Sequence, residues 1–156
     1  MWVQATNKSA SEYLPIRDYS VIGNLETLAL VGKDGSIDFM CIPEFDGDAI
    51  FCRLIDAEKG GYFSITPASE IRTDQMYLPD TCILLTRHFC KDGQLETVDW
   101  MDIAPDKSSQ RFFRRVKCVR GEMDIVVDFK PVLNYAKDPA VIQQTGLCSY
   151  RIAGPR

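Results

Sequence analysis

Apolar and polar residues alternate in short runs along most of this chain, with turn-forming residues between the runs, which is the period-two signature of strands. From Thr27 to Val31 the chain is apolar and β-tolerant, Gly32-Lys33-Asp34-Gly35 supplies turn chemistry with a glycine able to take positive φ, and Ser36 to Ile42 resumes. That order predicts a β-hairpin, closed by a Pro-aromatic-Asp corner at Pro43, Phe45 and Asp46. Further strand-like runs fall at 62–67, 71–78, 81–90, 94–103, 110–119 and 122–130, divided by Pro67, Pro79, Lys91-Asp92-Gly93, Pro105-Asp106 and Arg120-Gly121. Turn signals at a spacing of about 8 to 12 residues predict an all-β antiparallel sandwich or barrel.

One segment breaks the period. Asp48 offers an N-cap oxygen ahead of Ala49 to Glu58, where Ile50, Phe51, Leu54 and Ile55 recur at helical spacing before Gly60-Gly61, so a single short helix is expected there. Residues 1–12 are polar and read as a loose segment ahead of one domain spanning 13–156. At the other end, 141–144 and 147–152 form a second hairpin pattern around Thr145-Gly146, and the sequence then stops at Gly154-Pro155-Arg156. An unpaired edge is a liability that natural sheets normally cover, so the sandwich is expected to be incomplete, the amino-terminal piece of something longer.

Composition narrows the function classes. A chain of 156 residues with 46% hydrophobic and 26% charged residues fits one compact soluble domain. A net charge of −4 argues against a nucleic-acid partner, which requires clustered lysine and arginine. The local basic group Arg111, Arg114, Arg115 and Lys117 is interleaved with Phe112, Phe113 and Val116, and is expected on the outer face of an alternating strand. No run has the length of a signal-peptide core or approaches the roughly 18 apolar residues of a membrane span, so no membrane partner and a cytoplasmic location are expected. The six cysteines, at 41, 52, 82, 90, 118 and 148, are then expected to be reduced, half-buried core residues. None has close Cys-x-x-Cys spacing, and the single histidine, His88, falls within a strand, so no metal site is expected. Phosphate-binding, dinucleotide-binding and serine-nucleophile glycine motifs are absent from the sequence, and no cofactor is expected.

Carboxylates are the one plentiful reactive type, with Asp38, Glu44, Asp46, Asp48, Asp99 and Asp102 the most suggestive by position. A carboxylate pair hydrolyses glycosides at separations of about 5 to 9.5 Å, a geometry that sequence spacing does not establish. Alternation along Glu96 to Asp102 puts Glu96, Val98, Trp100 and Asp102 on one mixed face, either solvent-side or ligand-facing. The corner Cys41-Ile-Pro-Glu-Phe-Asp-Gly47 sets a rigid proline, an aromatic ring and two carboxylates in a loop. A ring beside a carboxylate suits sugars, because the ring face stacks on C–H groups while the carboxylate accepts from hydroxyls. The plainer alternative is a core-plugging Phe45 with Asp46 or Asp48 capping a helix.

The ordered set Pro15-Ile16-Arg17-Asp18-Tyr19, Ile22-Gly23-Asn24, Thr27 to Val31, Asp34-Gly35-Ser36-Ile37-Asp38 and Cys41 to Asp46 resembles the amino-terminal domain of the glucoamylase and trehalase-like glycoside hydrolases of family 15. Leu84 to Arg87, Asp92-Gly93, Asp99-Trp100-Met101 and Arg114 to Cys118 continue the pattern, over most of residues 15–135. In that family the domain is a β-sandwich, and catalysis resides in a helical (α/α)6 barrel whose two glutamates serve as acid and base on α-glucosidic bonds. The resemblance therefore implies no catalytic residue in this chain and no activity of the chain alone. It implies a helical (α/α)6 catalytic domain as partner, in cis or in trans, with carbohydrate as a further partner. Pro43, Phe45 and Asp46 are the candidates for a loop lent to the substrate mouth. Two departures stand out. Glu44 occupies a position where the family carries arginine, and Val132-Leu-Asn-Tyr-Ala-Lys137 stands where it carries Arg-Phe-Asp-Tyr-Gly-Arg. The competing readings are a self-standing carbohydrate-binding module, with Trp100 or Tyr62 as stacking platform, and a structural remnant without ligand.

Overall fold

The computed structural model describes residues 13–69, 72–103, 110–138, 140–146 and 149–154. The expected loose segment 1–12, the Pro105-Asp106 turn, Cys148 and the terminal Pro155-Arg156 lie outside the described residues. After a 3-10 turn at Ile16–Asp18 come twelve strands: β1 (Tyr19–Gly23), β2 (Leu28–Gly32), β3 (Ser36–Ile42), β4 (Asp48–Cys52), β5 (Tyr62–Pro67), β6 (Arg72–Tyr77), β7 (Leu84–Phe89), β8 (Gly93–Met101), β9 (Phe112–Gly121), β10 (Ile125–Lys130), β11 (Val141–Gly146) and β12 (Ser149–Ala153).

One antiparallel sheet runs β1-β2-β3-β5-β10, with β4 also paired to β3, and the other runs β6-β7-β8-β9. Their facing sides bury one core, in which Ile22, Ala29, Val31, Ile37, Met40 and Phe51 of the first sheet meet Leu84 of the second. Phe63, Met101 and Phe112 pack on its flank. The all-β antiparallel sandwich expected from turn spacing and resemblance is the observed fold. β11 and β12 make a separate two-stranded hairpin.

No helix forms at 49–58. An apolar run of four, Ala49 to Cys52, serves a buried strand as well as a helix, and tertiary pairing decides between them. Here β4 pairs antiparallel with β3, Met40 opposite Phe51. Phe51 joins the main core, while Ala49 and Cys52 join Cys41 in a smaller cluster under Phe39 and Val132. Both faces of the strand thus find apolar cover. The stretch that follows is a turn, in which Asp56 accepts from the backbone N–H groups of Glu58 and Lys59, each at 2.9 Å. These bonds hold the Asp56 carboxyl below its ordinary range.

Polar ties cross between the sheets. Tyr77 of β6 accepts from Val21 N–H and donates to Val21 carbonyl, both at 2.8 Å, and Ser20 donates to Gln75 at 2.8 Å. A further tie starts from an ion pair within the second sheet and corrects the expected outward basic face. Arg114 lies on the inward side of β9 with Phe112, and its guanidinium grips both carboxylate oxygens of Asp99 at 2.7 and 2.8 Å. Those side chains are 2% and 0% exposed. A third N–H of Arg114 donates to the Gly35 carbonyl at 2.9 Å, which fastens β9 to the β2–β3 turn of the opposite sheet. Gly35 is required there: it has φ of 81°, and a Cβ would stand 3.2 Å from His88 Nε2. Arg111, Arg115 and Lys117 do face outward.

The cysteines divide. Cys41 and Cys52 are buried and Cys90 is half-buried, whereas Cys82 and Cys118 are exposed, against the expectation of a uniformly half-buried set. All five are free thiols. Burial pushes the Cys52 thiol above its ordinary value. His88 is a fully buried residue of β7 beside Thr73.

Candidate functional site

The corner after β3 is built by a tight turn in which the Gly47 N–H donates to the Glu44 carbonyl at 3.0 Å. A Cβ on Gly47 would sit 2.8 Å from the Ile42 carbonyl oxygen, so only glycine allows the return into β4. Pro43, Glu44, Phe45 and Asp46 all face solvent, with Phe45 52% exposed. Phe45 is therefore not a core plug, and no helix exists for Asp46 or Asp48 to cap.

A second loop meets this corner. Asn134, Tyr135 and Ala136 all have positive φ, at 47°, 56° and 60°, a conformation costly for side-chain-bearing residues. Asn134 Nδ2 donates to Asp138 at 3.1 Å and Lys137 N–H to the Asn134 carbonyl at 3.1 Å, which holds the turn. The Tyr135 hydroxyl donates to the Gly47 carbonyl at 3.3 Å and lies 3.7 Å from Cys41 Sγ. Its contact with the Cys41 thiol is the first cause of a raised phenol pKa. Segments 88 residues apart in sequence thereby share one rim, with the aromatic rings of Phe45 and Tyr135 both open to solvent. Sequence reasoning noted 132–137 only as a departure from the family pattern and missed Tyr135. The signals available were its alignment with a family motif and Asn134, a residue type enriched in the left-handed region, whereas Tyr135 and Ala136 give none.

Three of the six carboxylates singled out from the sequence, and Glu96 beside them, are held by arginines. Asp38 meets Arg53 at 2.6 Å, Asp99 meets Arg114, Glu96 meets Arg87 at 2.7 Å, and Asp102 lies 3.5 Å from Arg111. Trp100, on the outer side of β8, stacks on Phe113 of β9 with ring centroids 5.2 Å apart and planes at 10°. Tyr62 carries the Arg53 guanidinium over its ring at 4.4 Å and the Lys130 ammonium at 5.0 Å, so its ring serves cations and offers no free stacking platform.

Arg53 also heads a polar cleft on the outer face of the first sheet, lined by Asp34, Ser36, Arg53, Tyr62, Ser64, Thr66 and Asp128. It donates to Ser36 Oγ at 2.9 Å and ion-pairs with one Asp38 oxygen at 2.6 Å, and Tyr19 donates its hydroxyl to the other Asp38 oxygen at 2.6 Å. Burial and then the hydrogen bond to Asp38 push the Tyr19 phenol far above its ordinary value. For Arg53, burial works against the charge, and the Asp38 hydrogen bond and charge outweigh it. Among the described residues no cluster of histidine, cysteine and carboxylate side chains has metal-binding geometry, and no helix is long and apolar enough to cross a membrane.

The family described as trehalase-like, N-terminal matches residues 2–154. The chain is 34% identical over 149 residues to a trehalase of Thermoplasma volcanium, covering 91% of this chain and 24% of that protein. It is 38% identical over 124 residues to a trehalase of Thermoplasma acidophilum, covering 74% and 21%, and 30% identical over 118 residues to trehalase 2 of Sulfolobus acidocaldarius, covering 76% and 19%. The chain thus spans at most 24% of the length of these curated relatives. No solved structure matches it. With the family pattern covering nearly every residue and relatives above 30% identity, this chain belongs to the trehalase-like N-terminal domain family.

Proposed function

We propose that this β-sandwich is the non-catalytic amino-terminal domain of a trehalase-like hydrolase acting on α-glucosidic bonds. It packs against a helical (α/α)6 catalytic domain and lends Pro43, Phe45 and Asp46 to the substrate mouth. The observation that carries the reading is the rim formed where the 43–47 corner and the 134–137 turn meet. It sets an exposed aromatic ring and carboxylate on a loop held at Gly47 by a backbone hydrogen bond to Glu44 and by the Tyr135 hydroxyl. Such a loop is preorganised, so its groups reach a bound sugar with little ordering cost. The pairing of Asp38, Glu96 and Asp99 with arginines supports a structural rather than an acid–base role for those acids. That several trehalases match this chain over only their corresponding quarter or less agrees with a domain that works as part of a longer polypeptide.

The test is a chimera in which this chain replaces the matching segment of the Thermoplasma volcanium trehalase. Trehalose hydrolysis by the chimera, reduced at least about tenfold by Phe45→Ala or Asp46→Ala through loss of hydrogen bonding and stacking, is the expected result. Glucose release from trehalose or maltose by the isolated chain overturns the reading, as does a chimera indifferent to both substitutions.

A further inference from the structure

We infer that the cleft beside Arg53 is a second carbohydrate contact, a subsite for the hydroxyl-bearing edge of a neutral sugar, separate from the 43–47 corner. Strand register builds it. Ser36 of β3 stands opposite Ser64 of β5, and Ser64 stands opposite Asp128 of β10, so three polar side chains form a row across the outer face of the sheet. The neighbouring row, Ile37, Phe63 and Phe129, points to the other side, where Ile37 and Phe63 pack in the main core. Thr66 and Tyr62 flank Ser64 on the same face of β5.

Ser36 is paired with Asp34 and Arg53, but the rest of the row has no such partner among the described residues. Ser64 is only 8% exposed and lines the cleft, yet its hydroxyl has no hydrogen-bond partner among the described residues. The Thr66 hydroxyl and the Asp128 carboxylate also line the cleft without such a partner. Ser64 is thus a mostly buried residue whose hydroxyl opens onto the cleft beside an open carboxylate, and both groups are available to exogenous partners.

The walls select the partner's charge. Asp34 and Asp128 disfavour an anion such as phosphate, while the fixed charge of Arg53, with Lys130 beside Tyr62, disfavours a cation. A neutral polyol meets both conditions, with one hydroxyl donating to the Asp128 carboxylate and others exchanging hydrogen bonds with Ser64 and Thr66. The cleft volume of about 40 Å³ admits roughly three water-sized groups, which corresponds to the hydroxyls along one edge of a pyranose rather than to a whole ring.

The experiment is a titration of the full 156-residue chain, nitrogen-15 labelled, with trehalose, maltose, inorganic phosphate and putrescine, followed by amide shifts. Saturable shifts at Ser36, Ser64, Thr66 and Asp128 with either disaccharide, and none there with phosphate or putrescine, are expected. Asp128→Asn and Thr66→Val, both at half-buried positions, are expected to raise the dissociation constant about tenfold with spectra otherwise intact, and Ser64→Ala to do the same. Sugar shifts confined to the 43–47 corner overturn the inference and leave the proposed function standing. Shifts at the cleft with putrescine in place of the sugars, no shift with any probe, or variants that titrate like the parent chain also overturn it.

Discussion

Two arginine–aspartate pairs hold this sandwich, and their surroundings give them different work. Arg114 and Asp99 are sealed between the sheets with bidentate geometry and a third bond to the Gly35 carbonyl. Arg53 and Asp38 meet at 2.6 Å as well, but the Arg53 side chain is 21% exposed and opens onto the polar cleft, while Asp38 has a second donor in Tyr19. In the interior an ion pair is worth keeping only if every charge stays matched, since removing one partner leaves the other stranded in a low dielectric. At the cleft, Tyr19 shares the load on Asp38, and Arg53 keeps one side toward solvent. The same chemistry is therefore a lock in one place and an adjustable wall in the other.

The largest effect is expected from breaking the lock. Arg114→Leu leaves Asp99 buried without its cation and frees the β2–β3 turn from β9, at a cost of about 3–5 kcal/mol in urea unfolding. If the burden is the stranded charge, Arg114→Met with Asp99→Leu recovers most of that loss. A double variant as unstable as the single one shows instead that the Gly35 tie carries the energy.

The cleft pair gives a smaller number. Arg53→Leu is expected to lower stability by about 1–3 kcal/mol, because Asp38 keeps the Tyr19 hydroxyl and the arginine removed is itself partly open to solvent. A loss equal to that of Arg114→Leu, measured under the same conditions, erases the distinction between the two sites.

The sequence carried most of the strand plan and little of this electrostatic plan. Glycine and proline punctuation located β2, β3 and β5 to β10 to within a few residues, because turn chemistry is local. Ala49 to Cys52 read as helix because an apolar run of four has no period of its own, and only pairing with β3 decided it. β1 went unlocated, its role resting on partners as distant as Tyr77 and Gln75. Arg114 was expected outside because charge usually faces water, although alternation already put it on one face with Phe112 and Val116. The corner at Pro43, Phe45 and Asp46 was legible as a loop, but its meeting with Tyr135 depends on three positive φ angles, of which only that of Asn134 falls on a residue type that favours them.

The finest test of the comparison is pH. Tyr19→Phe removes the phenol that shares Asp38 with Arg53, and near neutral pH the lost hydrogen bond is expected to cost about 1 kcal/mol. Because the folded-state pKa of Tyr19 is raised, its contribution is fully present below the unfolded phenol value of about 10 and is lost as pH rises beyond it. The parent chain therefore loses stability between pH 10 and 11 that the variant does not, and the two unfolding curves converge. Cys52 and Tyr135, whose pKa values are also raised, weaken both proteins in the same direction and cancel in the difference. Parallel curves from pH 8 to 11 require that Tyr19 ionises as freely folded as unfolded, and then Asp38 and Arg53 are coupled to solvent more strongly than the 2.6 Å contacts imply.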